Sequence, residues 1–225
     1  MSIPKVIYQT YKTSKLPLIF RWHIYRLRKK NPDYDYQFYD DKRVEKFIYN
    51  ELGEESFNLF KRINIGAAKA DFFRYAILYK KGGIYLDLDS RILYKIDDFI
   101  KHDDKAVLSF EDNKKYFIQF ALFFEPGHPF LKRTLELIIA NMKNNISPYD
   151  SHKMMGPAAF TQAINESLYE TPNIGHRILG IDYENKVEFS FPMSKTFLYG
   201  ISRKNHWKKL CKTTPVMSAD CTEYR

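Results

Sequence analysis

The stretch "AAKADFFRYAILYKKGGIYLDLDS", Ala67–Ser90, decides how this chain folds. Ala67–Lys80 is alanine-rich, mostly apolar and free of proline, which predicts a helix. Gly82-Gly83 supplies the stop. Ile84–Asp89 then alternates, predicting a strand with Ile84, Leu86 and Leu88 on one side and Tyr85, Asp87 and Asp89 on the other. The first set is expected to pack on a helix layer. The second places two carboxylates, with Cα atoms roughly 7 Å apart, at a strand's C-terminal end, where open α/β sheets bind ligands. Carboxylates without partners are costly against a core, so they call for a cleft, a cation or basic neighbours. A hard cation, Mn²⁺ or Mg²⁺, takes one or two such carboxylates and completes its shell with water and substrate phosphate oxygens. Asp71 and Arg74 share a helix face, where they either hold ligand hydroxyls or pair with each other. Their apolar neighbours, Phe72, Phe73, Tyr75, Ala76 and Ile77, imply a buried helix on which a polar pair needs partners.

Outward from this unit, strands and helices alternate. Ile3–Thr10 reads as a first strand, Phe20–Lys30 as a basic-sided helix ended by Asn31-Pro32, and Tyr34–Asp41 as a second strand. Lys42–Leu52 reads as a helix, and Ala106–Phe110 and Phe117–Phe124 as strands. Pro129–Lys143 and Pro157–Leu168 read as helices, followed by irregular chain with short strands. The alternation predicts an α/β sheet flanked by helices. The chain of 225 residues shows no repeat or linker, so one domain over 1–210 is expected, with 211–225 a tail or closing segment.

The net charge of +9 attracts polyanions, anionic membranes and phosphorylated small molecules without choosing among them. No helix-turn-helix, zinc-finger or RNP-like pattern supports a nucleic-acid partner. The two cysteines, Cys211 and Cys221, form no metal cluster or disulfide framework, so a reducing, cytoplasmic location is expected, with a late disulfide left open. No leader or membrane span is visible. Arg21, Arg26, Arg28, Lys29 and Lys30 form a basic patch: a solvated helix face, or a peripheral contact with an anionic membrane carrying a lipid-linked acceptor. Glu111 and Asp112, and His128 in "PGHP", read best as turn residues.

Ala67–Ser90, with its Asp-x-x-Arg followed by Tyr-x-Asp-x-Asp, resembles glycosyltransferase family 32, the sugar transferases with a DXD motif. "IPKVIYQTYKT" (Ile3–Thr13) is similar to the family's opening strand, and "EPGHPFLKRTLELI" (Glu125–Ile138) and "MGPAAFTQAI" (Met155–Ile164) match in place. The resemblance covers Ile3 to about Ile164. It implies a GT-A fold with a Rossmann-like mixed sheet. It implies a hexosyltransferase that uses Mn²⁺ (or Mg²⁺), retains anomeric configuration and takes a UDP- or GDP-linked sugar. The acceptor is expected to be a saccharide or glycolipid, as in polysaccharide and glycan synthesis. By position, Asp71 and Arg74 would hold sugar hydroxyls, Tyr85 would lie near the ribose or base, Asp87 would bridge ribose or sugar and metal, and Asp89 would ligate the metal. Tyr8, Gln9 and Thr10 would line the base, on which a ring stacks well. Tyr8 and Tyr11 stand where the family has His and Trp, and Lys69 where a serine is common. "KNHWKKL" (Lys204–Leu210) loosely echoes a closing segment. There His206 is either a metal or phosphate contact or a surface histidine, and Trp207 a lid residue or an anchor. The alternative is a haloacid-dehalogenase-like phosphatase, whose first Asp is a nucleophile. That motif usually lies near the N-terminus, before Thr or Val, whereas Ser90-Arg91 follows here.

Overall fold

The computed structural model describes residues 2–200 and 206–219. Strands β1 (Val6–Thr10), β2 (Asp35–Tyr39) and β3 (Gly83–Leu86) share a six-stranded sheet with β5 (Ala106–Phe110), β6 (Ala121–Phe124) and β7 (Arg177–Ile181). Their order is β2-β1-β3-β6-β5-β7, and β4 (Arg91–Ile92) pairs separately with β8 (Val187–Glu188). β1 runs parallel to both β2 and β3, while β6 runs against β3 and β5. The parallel triplet needs helical crossovers. These are α1 (Leu18–Lys30), between β1 and β2, and α2 (Asp41–Lys61) with α3 (Gly66–Lys81), between β2 and β3. The remaining helices are α4 (Pro129–Lys143), α5 (Ser151–Met154), α6 (Pro157–Glu170), α7 (Ser194–Tyr199) and α8 (Trp207–Leu210). This is the expected α/β architecture, a mixed sheet flanked by helices. None of the described helices is long and apolar enough to cross a membrane.

Period-two alternation sorts the core into two layers. Ile7, Ile84, Leu86, Val107 and Phe123 face one side of the sheet. Tyr8, Tyr85, Leu108, Leu122 and Phe124 face the other, against buried residues of α2, α3, α4 and α6. The thick helical layer therefore covers the Tyr85 side, not the Ile84 side that the sequence pointed to. Each fully buried Phe in that layer contributes roughly 1.5–3 kcal/mol. Helix α2 continues past Leu52 through a break at Gly53, whose φ of +81° is non-helical.

The end of the described chain is part of this body. Val216 and Met217 are buried in the same core, and Asn64 N–H donates to the Val216 carbonyl at 2.8 Å. Cys211 is a buried thiol, 3.5 Å from Ser151 Oγ. Cys221, the other half of any late disulfide, lies outside the described residues.

Candidate active site

The turn between α3 and β3 builds the site. Gly82 has φ +64°, and a Cβ there would lie 2.6 Å from the nitrogen and Cδ of Pro126. Only glycine fits so close an approach at that φ. The reversal lays α3 back along β3. Arg74 lies eight residues before Gly82, about 12 Å of helix, and Asp87 lies five residues after it, about 16 Å of strand. The middle of the helix therefore meets the far end of the strand.

There Arg74 is buried. Its Nη1 donates to the Gln119 carbonyl at 3.1 Å and pairs with Asp71 Oδ1 at 3.0 Å. Its Nη2 donates to Asp87 Oδ1 at 3.0 Å. The same oxygen accepts from the Tyr85 hydroxyl at 3.1 Å, and the guanidinium carbon lies 4.9 Å from the Tyr85 ring centroid. Arg74 Nε is sealed from solvent with no hydrogen-bond partner among the described residues.

The predicted strand stops at Leu86, and Asp89 belongs to a turn closed by Ser90 N–H donating to the Asp87 carbonyl at 3.0 Å. The two acids are thus brought together by a turn rather than by a pleat. Three further contacts fix it: Asp87 N–H to Phe120 O at 2.8 Å, Phe191 N–H to Asp89 O at 3.0 Å, and Gln9 Nε2 to Asp87 O at 3.1 Å. Gln9 is a buried brace, also accepting from Tyr36 Oη at 3.0 Å, and takes no place in the cleft around Asp87 and Asp89. Tyr8 is a core ring edge-on to Tyr39, not the base platform assigned to it. Thr10 does line the cleft, together with Tyr11 and Lys12.

The electrostatics are unbalanced. Asp71 and Asp87 share the Arg74 guanidinium, while Asp89 lies under the charge of Asp87, offset by Lys195 and Arg74. Burial pushes the Asp89 carboxyl up to about 7, with the Asp87 charge adding to it. Burial raises Asp71 to about 7 against the opposing pull of Arg74, and raises Asp87 as well. The Arg74 pair holds its charge despite desolvation, because Asp87 and Asp71 outweigh it. Among the described residues, no side chain is hydrogen bonded or ion-paired to the Asp89 carboxylate. A divalent cation is the hard, doubly charged partner this oxygen-donor set lacks, so Asp87 and Asp89 fit one. His206 does not complete a three-ligand set: no group of three His, Cys, Asp or Glu forms one among the described residues. Its Nδ1 instead accepts from Lys208 N–H at 3.3 Å, capping α8.

Two cavities meet at this turn. One, about 360 Å³, lies between the end of β1 and the first turns of α2 and α3, with Val44, Phe60 and Ile65 as its apolar wall. The other, about 880 Å³, is walled by Gln119, Phe120, Glu111, Phe189, Lys195 and His206. Arg74, Asp87, Asp89 and Trp207 line both. Lys195 escaped the sequence reading because it comes from chain without periodicity. It is the second cation, after the Arg74 guanidinium, to act on the acids, and it pulls Asp89 down. A phosphatase of the Asp-nucleophile kind is not favoured, since the first acid of the motif is occupied by Arg74 and Tyr85.

Residues 20–106 match the family model described as a glycosyltransferase sugar-binding region containing DXD motif. The chain is 26% identical over 197 residues to an initiation-specific alpha-1,6-mannosyltransferase of Schizosaccharomyces pombe, covering 74% of this chain and 49% of that protein. It is 28% identical over 153 residues to the same organism's inositol phosphoceramide mannosyltransferase 2, covering 65% of this chain and 40% of that protein. The chain thus spans about half, or less, of the length of these relatives. Among solved structures, the glycosyltransferase PaToxG superposes with a TM-score of 0.58 at 19% identity, over 99% of this chain and 83% of its own. That likeness is one of fold, the GT-A fold.

Proposed function

We propose that the protein is a metal-dependent, retaining hexosyltransferase of the DXD-containing kind, a reading supported by the match of residues 20–106 to the glycosyltransferase sugar-binding family. It moves a sugar from a nucleoside diphosphate to a saccharide or glycolipid acceptor. The observation that carries this reading is the meeting of two cavities at one wall of Arg74, Asp87 and Asp89. A bisubstrate reaction needs such a wall.

The smaller cavity suits the nucleoside. Its apolar wall takes the base, and Lys12 and Lys69 at its edge attract the diphosphate. Asp71 and Arg74, which line the larger cavity, hold sugar hydroxyls. Asp87 and Asp89 would hold the cation, which when bound neutralises negative charge on the departing diphosphate. Tyr85 and Gln9 keep Asp87 in place from its side chain and its carbonyl. The bond from the sugar's anomeric carbon to phosphate breaks, and a bond to an acceptor oxygen in the larger cavity forms. The acceptor's proton goes to the leaving phosphate, on the same face of the sugar. The mannosyltransferase names of the relatives put mannose first among candidate donors.

The test is a donor panel, UDP- and GDP-linked hexoses, each with Mn²⁺ and with chelator. One donor should be turned over in a chelator-sensitive way, and Asp89→Ala should abolish it. Arg74→Lys should be nearly as damaging as Arg74→Ala, since a lysine cannot supply the guanidinium fork. Chelator-resistant turnover, or wild-type rates in these variants, would overturn the assignment.

A further inference from the structure

Helix α1 carries a surface that the transfer reaction does not use. Leu18, Trp22 and Tyr25 are exposed at 76%, 49% and 60%. At 100° per residue they fall within about 60° of one another. Exposed Arg21 and Arg28 lie along one flank of this stripe and exposed Arg26 along the other. Arg26 rests over the Trp22 ring at 4.8 Å, so cation and aromatic ring form one patch. Helix α1 itself carries no acidic residue, the first in the chain being Asp33. The opposite face of α1 is well packed: Phe20 is buried with Leu88 and Phe191, and Ile19 and Ile24 add to the cluster.

We propose that this face of α1 docks the protein on a membrane surface rich in anionic lipid. An interfacial helix has an apolar centre with cationic flanks. Trp and Tyr rings settle at headgroup depth, and arginines on either side meet lipid phosphates. Nucleic acid would use the arginines but has no need of Leu18 and Tyr25, so the pattern favours lipid. Leu88, on which the inner face of α1 packs, lies between Asp87 and Asp89. The docked helix would therefore hold the acid turn next to the bilayer, where a lipid-linked acceptor would be found.

Binding is read without donor or acceptor, so its failure is separate from failure of the transferase reading. The protein is pelleted with phosphatidylcholine vesicles, alone or with about a third phosphatidylserine. Partitioning to the anionic vesicles should be at least about tenfold stronger and should weaken with salt. Arg21→Glu with Arg28→Glu should lower it more than about twenty-five-fold, at about fivefold per cation. Trp22→Ser with Tyr25→Ser should lower it too, and brominated acyl chains should quench tryptophan emission in the wild type but not in Trp22→Phe. All four sites are exposed, and circular dichroism verifies that the variants are folded. Equal pelleting on neutral and anionic vesicles, none on either, or variants that bind like wild type would overturn the proposal. So would retention by RNA with no vesicle binding.

Discussion

Replacing Arg74 by methionine tests the electrostatic core of the site without reference to any ligand. Methionine fills similar volume but leaves Asp71 and Asp87 buried with no counter-charge, and Gln119 O loses a donor. Removing one partner of a buried pair costs about 3–5 kcal/mol. For a domain of this size that is a fall in Tm of about 6–20 °C. The sign with pH is fixed. Burial already lifts both acids above their unfolded values in the wild type, and losing the opposing pull of Arg74 lifts them further, so the folded variant binds more protons than the folded wild type. Stability from these groups is then present at low pH and lost as pH rises through the folded pKa. The deficit relative to wild type should be full near pH 8 and much smaller near pH 5. Thermal unfolding followed by circular dichroism at the two pH values measures it. A deficit under about 1 kcal/mol, or one that ignores pH, would refute the claim that the guanidinium holds the acids in place.

Three other outcomes are expected. Asp89→Asn should remove calorimetric uptake of Mn²⁺ in the presence of a nucleoside diphosphate, and unchanged uptake would place the cation elsewhere. His128 is buried, with Nε2 3.0 Å from Gly175 O and Nδ1 accepting from Phe130 N–H, and burial holds it at about 4, down from 6.5. Its neutral form stabilises the fold fully above 6.5 and progressively less as pH falls towards 4, a loss of about 3 kcal/mol. His128→Asn, which keeps an N-cap acceptor, should flatten the acid limb of a stability–pH curve, and an unchanged limb would contradict this. Gly82→Ala, forced against Pro126 at positive φ, should cost more than about 1 kcal/mol in denaturant titration.

What was legible in the chain depended on how local the signal was. Helix α4 was read to the residue, because proline starts it, an apolar stripe runs its length and Lys143 and Asn144 end it. His128 was read as a turn residue and is the N-cap of that helix, a distinction that only the backbone settles. The approach of Arg74 to Asp87 was implied by a charged pair on an otherwise apolar helix beside a glycine reversal. The position of Asp89 was not, since alternation through Leu88 looks the same in a strand and in a turn. Tyr8 misled for a related reason: an inner parallel strand is covered on both faces, so a ring there has no preferred destination. Lys195 and Trp207 reach the cleft from short late elements, for which no periodic pattern exists to read.

The antiparallel course of β6 has a consequence for how this protein can vary. The segment leading into it, Gln119-Phe120, supplies one backbone carbonyl to Arg74 and another to the amide of Asp87. One residue gained or lost there would shift both at once and strip the acid turn of two of its supports. The exposed tip at Asp112–Lys115 has no such duty. Insertions should be tolerated at that tip and refused five residues downstream, a boundary that a scan of single-residue insertions would draw.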